Sequence, residues 1–285
     1  MERRSKERDP LEVSLPTGLT VLKLGGELLE PGQTLPTVIA SIARLAARTQ
    51  VIVVHGAGRE IDADMQRRGV QKVAIEGLRV TDAETLESVI AVLAGTVNTR
   101  LVAALVKTGM RAVGLTGADA ALGLCARVPP HRTVDGSIFD LGFVGQPLVD
   151  RMPDLIADLL ARHYVPVIAT LGLDTNGDLL NVNADTMAAA LAGACGAERL
   201  LIAGATTGVL DSTGATLPIL DEAGVKRLIE SRGASAGMVA KLRACCDALH
   251  AGVKDVRILS GRHQGGFDSA PGTQIVSDVL NPALS

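Results

Sequence analysis

A chain of 285 residues with 47% hydrophobic content has room for one large α/β domain or two smaller lobes. Its net charge of −3 argues against a nucleic-acid or membrane-surface partner held by bulk electrostatics, and 1% aromatics with no Trp leaves no platform for stacked bases. No charge-free apolar run reaches the roughly 20 residues that a membrane span needs.

The N-terminal "MERRSKERDP" mixes both signs of charge and leads into no long apolar core. Residues 1–14 therefore read as a polar, solvated tail and not as a secretory signal. The first predicted strand, "LTVLKL", delivers Lys23 into the pair Gly25 and Gly26. Lysine is seldom buried without a partner, and paired glycines weaken a strand. Two readings stand at this point. Either the strand ends in a tight turn with Lys23 reaching solvent, or it presents a cation and bare backbone to an anion.

"TVIASIARLAART" follows with apolar residues at helical spacing, then the strand "QVIVVH" and a second glycine turn, "GAGRE", that opens a helix. Ligands in open α/β sheets sit beyond the carboxyl ends of the strands, so both glycine turns belong at one edge. Helix-start N–H groups bared by glycine bind anions. Neither turn has the spacing of a phosphate loop or of G-x-G-x-x-G. Two of them at one edge, the first beside Lys23, indicate a phosphate. His55 has no Ser or Cys nucleophile with it and reads as structural.

A helical stretch runs from Ala83 to Thr108, followed by the strands "RAVGLT" and "YVPVIATLG". Asn-Gly in "LDTNGDLLN" signals a hairpin turn. In "NVNADTMAAALAGACGA", Asp185 heads an alanine-rich helix, where the positive helix end keeps a carboxylate ionised; a plain N-cap is the other reading. The strand–helix rhythm restarts near Cys195 with "RLLIAG", which divides the chain into lobes 15–195 and 196–285. "ASAGMVAKLRACC" puts Lys241 on another small-residue helix, and "DVRILS" is a further strand.

Continuous apolar strands separated by helices predict an α/β fold, a three-layer αβα sandwich around a mainly parallel sheet. Cys125, Cys195, Cys245 and Cys246 lack zinc spacing and read as buried thiols in a reducing compartment; no metal site is expected. Two lysines and one carboxylate around glycine amides suit phosphoryl transfer, the lysines offsetting charge on the transferred group and the carboxylate holding the lysines.

The segments "KLGGELL", "VVHGAG", "GLRVTDAETLESVIAVLAGTVN", "GLTGADAAL", "DLGFVGQ", "PVIATLG", "NVNADTMAAALA", "GVLD", "GMVAKL" and "GTQIV" occur in the order of the N-acetylglutamate kinases, which the chain resembles from about Thr20 to Val276. The resemblance implies the amino-acid kinase fold. It also implies transfer of the ATP γ-phosphate to the γ-carboxylate of N-acetyl-L-glutamate in arginine biosynthesis, with Mg2+ held mainly through the nucleotide phosphates. By motif position, Lys23 and Lys241 stabilise the transferring phosphoryl and Asp185 orients both. Gly25, Gly26 and Gly58 cradle phosphates, and Arg79 clamps the substrate α-carboxylate. Asn181, with Gly56, Ala57 and Gly58, meets the acyl amino acid. Thr206, Thr207, Gly208, Gly237 and Met238 meet the nucleotide. The same resemblance implies a cytoplasmic homodimer with no nucleic-acid or membrane partner, its first lobe binding the acyl amino acid and dimerising, its second binding nucleotide. A kinase for an acylated α-aminoadipate, or a non-catalytic ligand-binding relative, is the alternative.

Four positions depart from the family pattern. Ala57 replaces the middle glycine of a His-Gly-Gly-Gly loop, which makes φ > 0 costly there. Ala205 stands where an aspartate meets the nucleotide, and Ala118 replaces a usual lysine. "GRHQGGFDSAPGTQIV" lacks the Glu-Leu-Phe-Thr-like signature of arginine-inhibited members. The expectation is an active kinase with weakened ATP binding and little inhibition by arginine.

Overall fold

Alternation along the first strand sets the architecture. In β1 (Leu19–Leu24), Leu19 and Val21 enter one apolar cluster while Leu22 and Leu24 enter another on the opposite face. The protein is described here by a computed structural model covering residues 18–277 except 33, 76–77 and 134–135; the tail expected over 1–14 lies outside the described residues. Seven further strands complete the main sheet: β2 (Gln50–His55), β3 (Ala112–Thr116), β4 (Val165–Ala169), β5 (Arg199–Gly204), β6 (Ile219–Asp221), β7 (Asp255–Ser260) and β8 (Gly272–Val276). Their order is β6-β8-β7-β5-β1-β2-β4-β3. All pairings from β7 through β5, β1, β2 and β4 to β3 are parallel. β8 runs antiparallel to β7, and β6 follows β8. Both sides of Cys195 share this sheet, because β1 pairs with β5.

Helices cover both faces. On one lie α1 (Thr34–Ala46), α2 (Gly58–Arg68) and α3 (Ala83–Val106). On the other lie α4 (Asp154–Ala161), α5 (Ala184–Ala194), α6 (Glu222–Glu230) and α7 (Ala236–His250). The result is the three-layer sandwich that the sequence predicts. α3 is long and apolar enough to cross a membrane by length and composition, yet its Val89, Val92, Leu93, Val97, Leu101 and Leu105 lie in the core. Its middle, Ala91–Val97, is wound as a π-helix.

The alanines of α5 have a packing role. Ala188, Ala189 and Ala192 are buried, and a Cβ added to Gly193 would lie 2.5 Å from the Ala251 Cβ just past α7. Only small side chains let α5 and α7 approach this closely. A second, four-stranded sheet (Cys125–Arg127, Val144–Pro147, Leu171–Leu173, Leu179–Val182) adjoins the carboxyl end of β4. It contains the expected hairpin, whose turn spans 174–178 and is held by Asp174 Oδ1 accepting from the N–H groups of Asn176 and Asp178.

Candidate active site

β1 and β2 end side by side, with Leu24 opposite His55. Both glycine turns therefore emerge at one edge, as the sequence predicts. They approach so closely that a Cβ on Gly26 would lie 2.8 Å from the Ala57 Cα. The Gly25 N–H is taken by the Ala203 carbonyl at 2.9 Å, so Gly25 supplies space and not a donor. Among the described hydrogen bonds none uses the N–H of Gly26, Ala57 or Gly58. A concave group of bare amides at a helix start fits an anion.

Lys23 has the parity of Leu19 and Val21, so its side chain points to the face that α5 covers. There it is 5% exposed, with Nζ 2.8 Å from Asp185 Oδ1. Lys241 Nζ donates to Asp185 Oδ2 at 3.1 Å. The N-cap of α5 is Asn183, whose Oδ1 accepts from the N–H groups of Asp185 and Thr186. That corrects the reading of Asp185 as a plain cap. With the cap supplied by Asn183, the Asp185 carboxylate is left for the two lysines. Burial favours a protonated Asp185, but Lys23 and Lys241 outweigh it and hold the carboxyl below its ordinary range. Burial dominates at Lys23 and pushes its ammonium down, against the pull of Asp185. At Lys241 burial opposes the charge, but Asp185 prevails and the net direction is upward.

The opposite end of the site carries a second ion cluster. Arg79 pairs with Asp62 through Nη2 and donates from Nη1 to Met65 Sδ at 3.1 Å. Lys72 Nζ lies 2.8 Å from the other Asp62 oxygen. Burial pushes the Asp62 carboxyl up, while hydrogen bonds from Lys72 and Arg79 bring it below the ordinary range. Asn181 Nδ2 donates to Thr81 Oγ1 at 3.1 Å. One cavity of about 420 Å³ is lined by Lys23, Gly25, Gly26, Gly56, Ala57, Gly58, Arg79, Asn181 and Asp185 together with Glu27 and Lys72. Lys241 joins this group through Asp185. Thr206, Thr207, Gly208, Gly237 and Met238 do not line the cavity. The first three follow β5, where Thr207 Oγ1 is 2.7 Å from Thr216 Oγ1. The last two lie in the first turn of α7, which Ser235 caps. Among the described residues no group of three or more His, Cys, Asp or Glu side chains is gathered for a metal ion.

The profile of the amino acid kinase family matches residues 18–260. The chain belongs to the amino acid kinase family. Acetylglutamate kinases of Sphingopyxis alaskensis, Methanopyrus kandleri and Koribacter versatilis are 38%, 40% and 39% identical to it over 249, 244 and 267 residues. These alignments cover 85%, 84% and 91% of this chain and 82%, 94% and 99% of those proteins. Among solved structures, smu.665 of Streptococcus mutans superimposes with a TM-score of 0.77 at 27% identity, over 91% of this chain and 99% of that one. An N-acetylglutamate synthase of Neisseria gonorrhoeae, complexed with coenzyme A and N-acetyl-glutamate, gives 0.76 at 25% identity over 92% of this chain and 60% of that one.

In this amino acid kinase, two of the departures take definite form. Ala57 has φ −153°, so the methyl group imposes no left-handed strain, contrary to the expectation from sequence. Ala205 has no carboxylate to offer, but its N–H donates to Glu27 Oε1 at 3.1 Å. Sequence reasoning passed over Glu27, Asp62 and Lys72. Glu27 stands beside the Gly-Gly pair, and Asp62 lies one helical turn after Gly58, so proximity to a motif was the available signal.

His55 is wholly buried, and Asn98 Nδ2 donates to its Nε2 at 3.0 Å and to the Val167 carbonyl at 2.9 Å. Burial, opposed by the Gly56 carbonyl and aided by the Arg100 charge, lowers its pKa from 6.5 to about 4. The unfolded chain thus binds a proton that the folded chain refuses between these two values, and stability falls as pH drops through that window. The contribution amounts to roughly 3 kcal/mol at the acid end. Thermal melting from pH 7 to pH 4 should therefore show a shallower decline in His55→Gln than in the parent chain; equal slopes would rule out the buried neutral imidazole.

Proposed function

We propose that the chain catalyses ATP-dependent phosphorylation of the γ-carboxylate of N-acetyl-L-glutamate, giving N-acetyl-L-glutamyl 5-phosphate in arginine biosynthesis. The observation that carries this reading is the buried Lys23–Asp185 pair, joined by Lys241 through Asp185, on the wall of a cavity that Arg79 also lines. An oxygen of the substrate γ-carboxylate forms a bond to the γ-phosphorus while the bond to the β,γ-bridging oxygen breaks, and ADP departs. Charge spread over the transferring group is offset by the two ammonium groups, which are already in place and need no reorganisation. The amides of Gly26 and Gly58 receive phosphate oxygens. At the far end the Arg79 guanidinium takes the substrate α-carboxylate, held in orientation by Asp62, and Asn181 hydrogen-bonds the acyl amino acid. Mg2+ carried in by the nucleotide phosphates would draw charge from the leaving group. The bare amides and the paired lysines fit such a complex.

Residues 15–195 act as the acyl-amino-acid and dimerisation lobe and 196–285 as the nucleotide lobe, with Thr206, Thr207, Gly208, Gly237 and Met238 on the nucleotide side, in a cytoplasmic enzyme. The outward face of α3 carries Glu84 and Glu87 near its start, but from Ala91 onward its exposed Ala91, Gly95, Thr96, Thr99, Ala103 and Val106 are uncharged, and this stretch supports a homodimer. Light scattering should give twice the chain mass; a hexameric mass contradicts this assembly.

Lys241→Ala should lower kcat by about 10²–10³-fold, because it removes charge stabilisation that grows in the transition state. Arg79→Lys should instead mainly raise KM for the acyl amino acid, since a point charge cannot reproduce a bidentate clamp. Steady-state kinetics with N-acetylglutamate and with an acylated α-aminoadipate reads both effects and the preferred chain length. Near-parental kcat in Lys241→Ala, or faster turnover of the longer substrate, would overturn the assignment.

A further inference from the structure

Glu27 has no part in the reaction as derived above, yet its carboxylate lies within the phosphate cradle. It belongs to the single helical turn Gly26–Leu28 that follows β1. The side chain folds back over the strand end, where Oε1 accepts the Ala205 N–H at 3.1 Å. A Cβ placed on Gly25 would lie 2.5 Å from both carboxylate oxygens, and one placed on Gly204 would lie 3.4 Å from Oε1. Glycine at these strand ends leaves the room that the carboxylate takes. It lines the same cavity as Lys23 and Asp185, and is near enough to Lys23 and Lys241 to favour their charged forms.

A charge count shows the consequence. Lys23 and Lys241 supply two positive charges and Asp185 one negative, so these three alone would meet a nucleotide with one net positive charge. Adding Glu27 brings the cradle to zero. Asp185 has both oxygens committed to the lysines, whereas among the described residues the Glu27 carboxylate accepts from one backbone amide and from no side chain. A free triphosphate entering this site meets the Glu27 carboxylate as a like charge, and the neutral cradle has no surplus positive charge to offset it. A divalent cation on the phosphates leaves the nucleotide less negative and gives Glu27 an opposite charge to face, since hard cations are held between substrate phosphates and one or two carboxylates.

We propose that Glu27 makes the nucleotide site selective for the metal-complexed triphosphate over the free triphosphate. The proposal rests on the kinase reading given above and adds a specificity-determining residue to it. The carboxylate excludes the bare polyanion and receives the same polyanion once a divalent cation accompanies it.

Isothermal titration calorimetry on the full chain, with no acyl amino acid present, tests this. ATP is titrated once with excess Mg2+ and once with EDTA, into the parent chain, Glu27→Gln and Glu27→Asp. The parent should bind the Mg2+ form at least about tenfold more tightly than the free form. Glu27→Gln should bring the two affinities within about threefold of each other, with free ATP binding more tightly than it does to the parent. Glu27→Asp, which keeps the charge, should retain most of the preference. A parent-like preference in Glu27→Gln, or none in the parent, would overturn the role of Glu27 and leave the kinase reading standing. Failure of the parent to bind ATP in either form would overturn both.

Discussion

One buried carboxylate held between two ammonium groups is the constraint on which the rest of the site depends. Asp185 is 4% exposed and Lys23 5%, so each would be costly to bury alone. Breaking such a cluster on one side leaves uncompensated charge in a dry environment, which is why its three members cannot vary independently. Much of the surrounding structure serves their meeting. Strand alternation aims Lys23 at α5, Asn183 caps α5 and so leaves the Asp185 carboxylate to the lysines, and the small residues of α5 admit α7 with Lys241. The cluster is therefore a product of sheet parity and helix packing as much as of three side chains.

The site has a second pole, and the two differ in kind. At the lysine end Lys23 and Asp185 are deeply buried, Lys241 is partly so, and opposite ion pairs fix all three. At the Arg79 end, Asp62 is shared between Arg79 and the more exposed Lys72, and solvent screens the pairs more strongly. We read the first pole as built for charge that develops during reaction and the second as built for recognising a charge already present. The cavity joining them sets backbone amides and the two cation clusters beside apolar side chains such as Ile61, Leu93 and Val182, which suits anionic ligands that also carry an aliphatic stretch.

Much of this was legible in the sequence because it rests on local pattern. Apolar runs alternating with helical spacing announce the parallel sheet, and two glycine turns at one sheet edge, the first beside a lysine, point to an anion. The positions that escaped depend on tertiary placement. Nothing in "GREIDADMQ" distinguishes Asp62 from Asp64, yet Asp62 is the one paired with Arg79, which lies on a short antiparallel ribbon (Ala74–Ile75 and Leu78–Arg79) beyond the end of α2. Glu27 reads as the polar start of a turn, and its contact with Ala205 joins positions that are neighbours only because β1 pairs with β5. Ala57 misled in the other direction. Substitution of a glycine suggested strain, but the backbone there keeps a negative φ that alanine adopts freely.

The most direct test of the account replaces only the charge at its centre. In Asp185→Asn the two lysines lose their shared counter-ion while the side chain keeps its shape. Phosphoryl transfer from ATP to N-acetylglutamate by the full chain should then fall in kcat by about 10²-fold or more, while circular dichroism shows a folded protein with a lowered melting temperature. Near-parental kcat in a folded Asp185→Asn chain would contradict the claim that this carboxylate holds the lysines for catalysis.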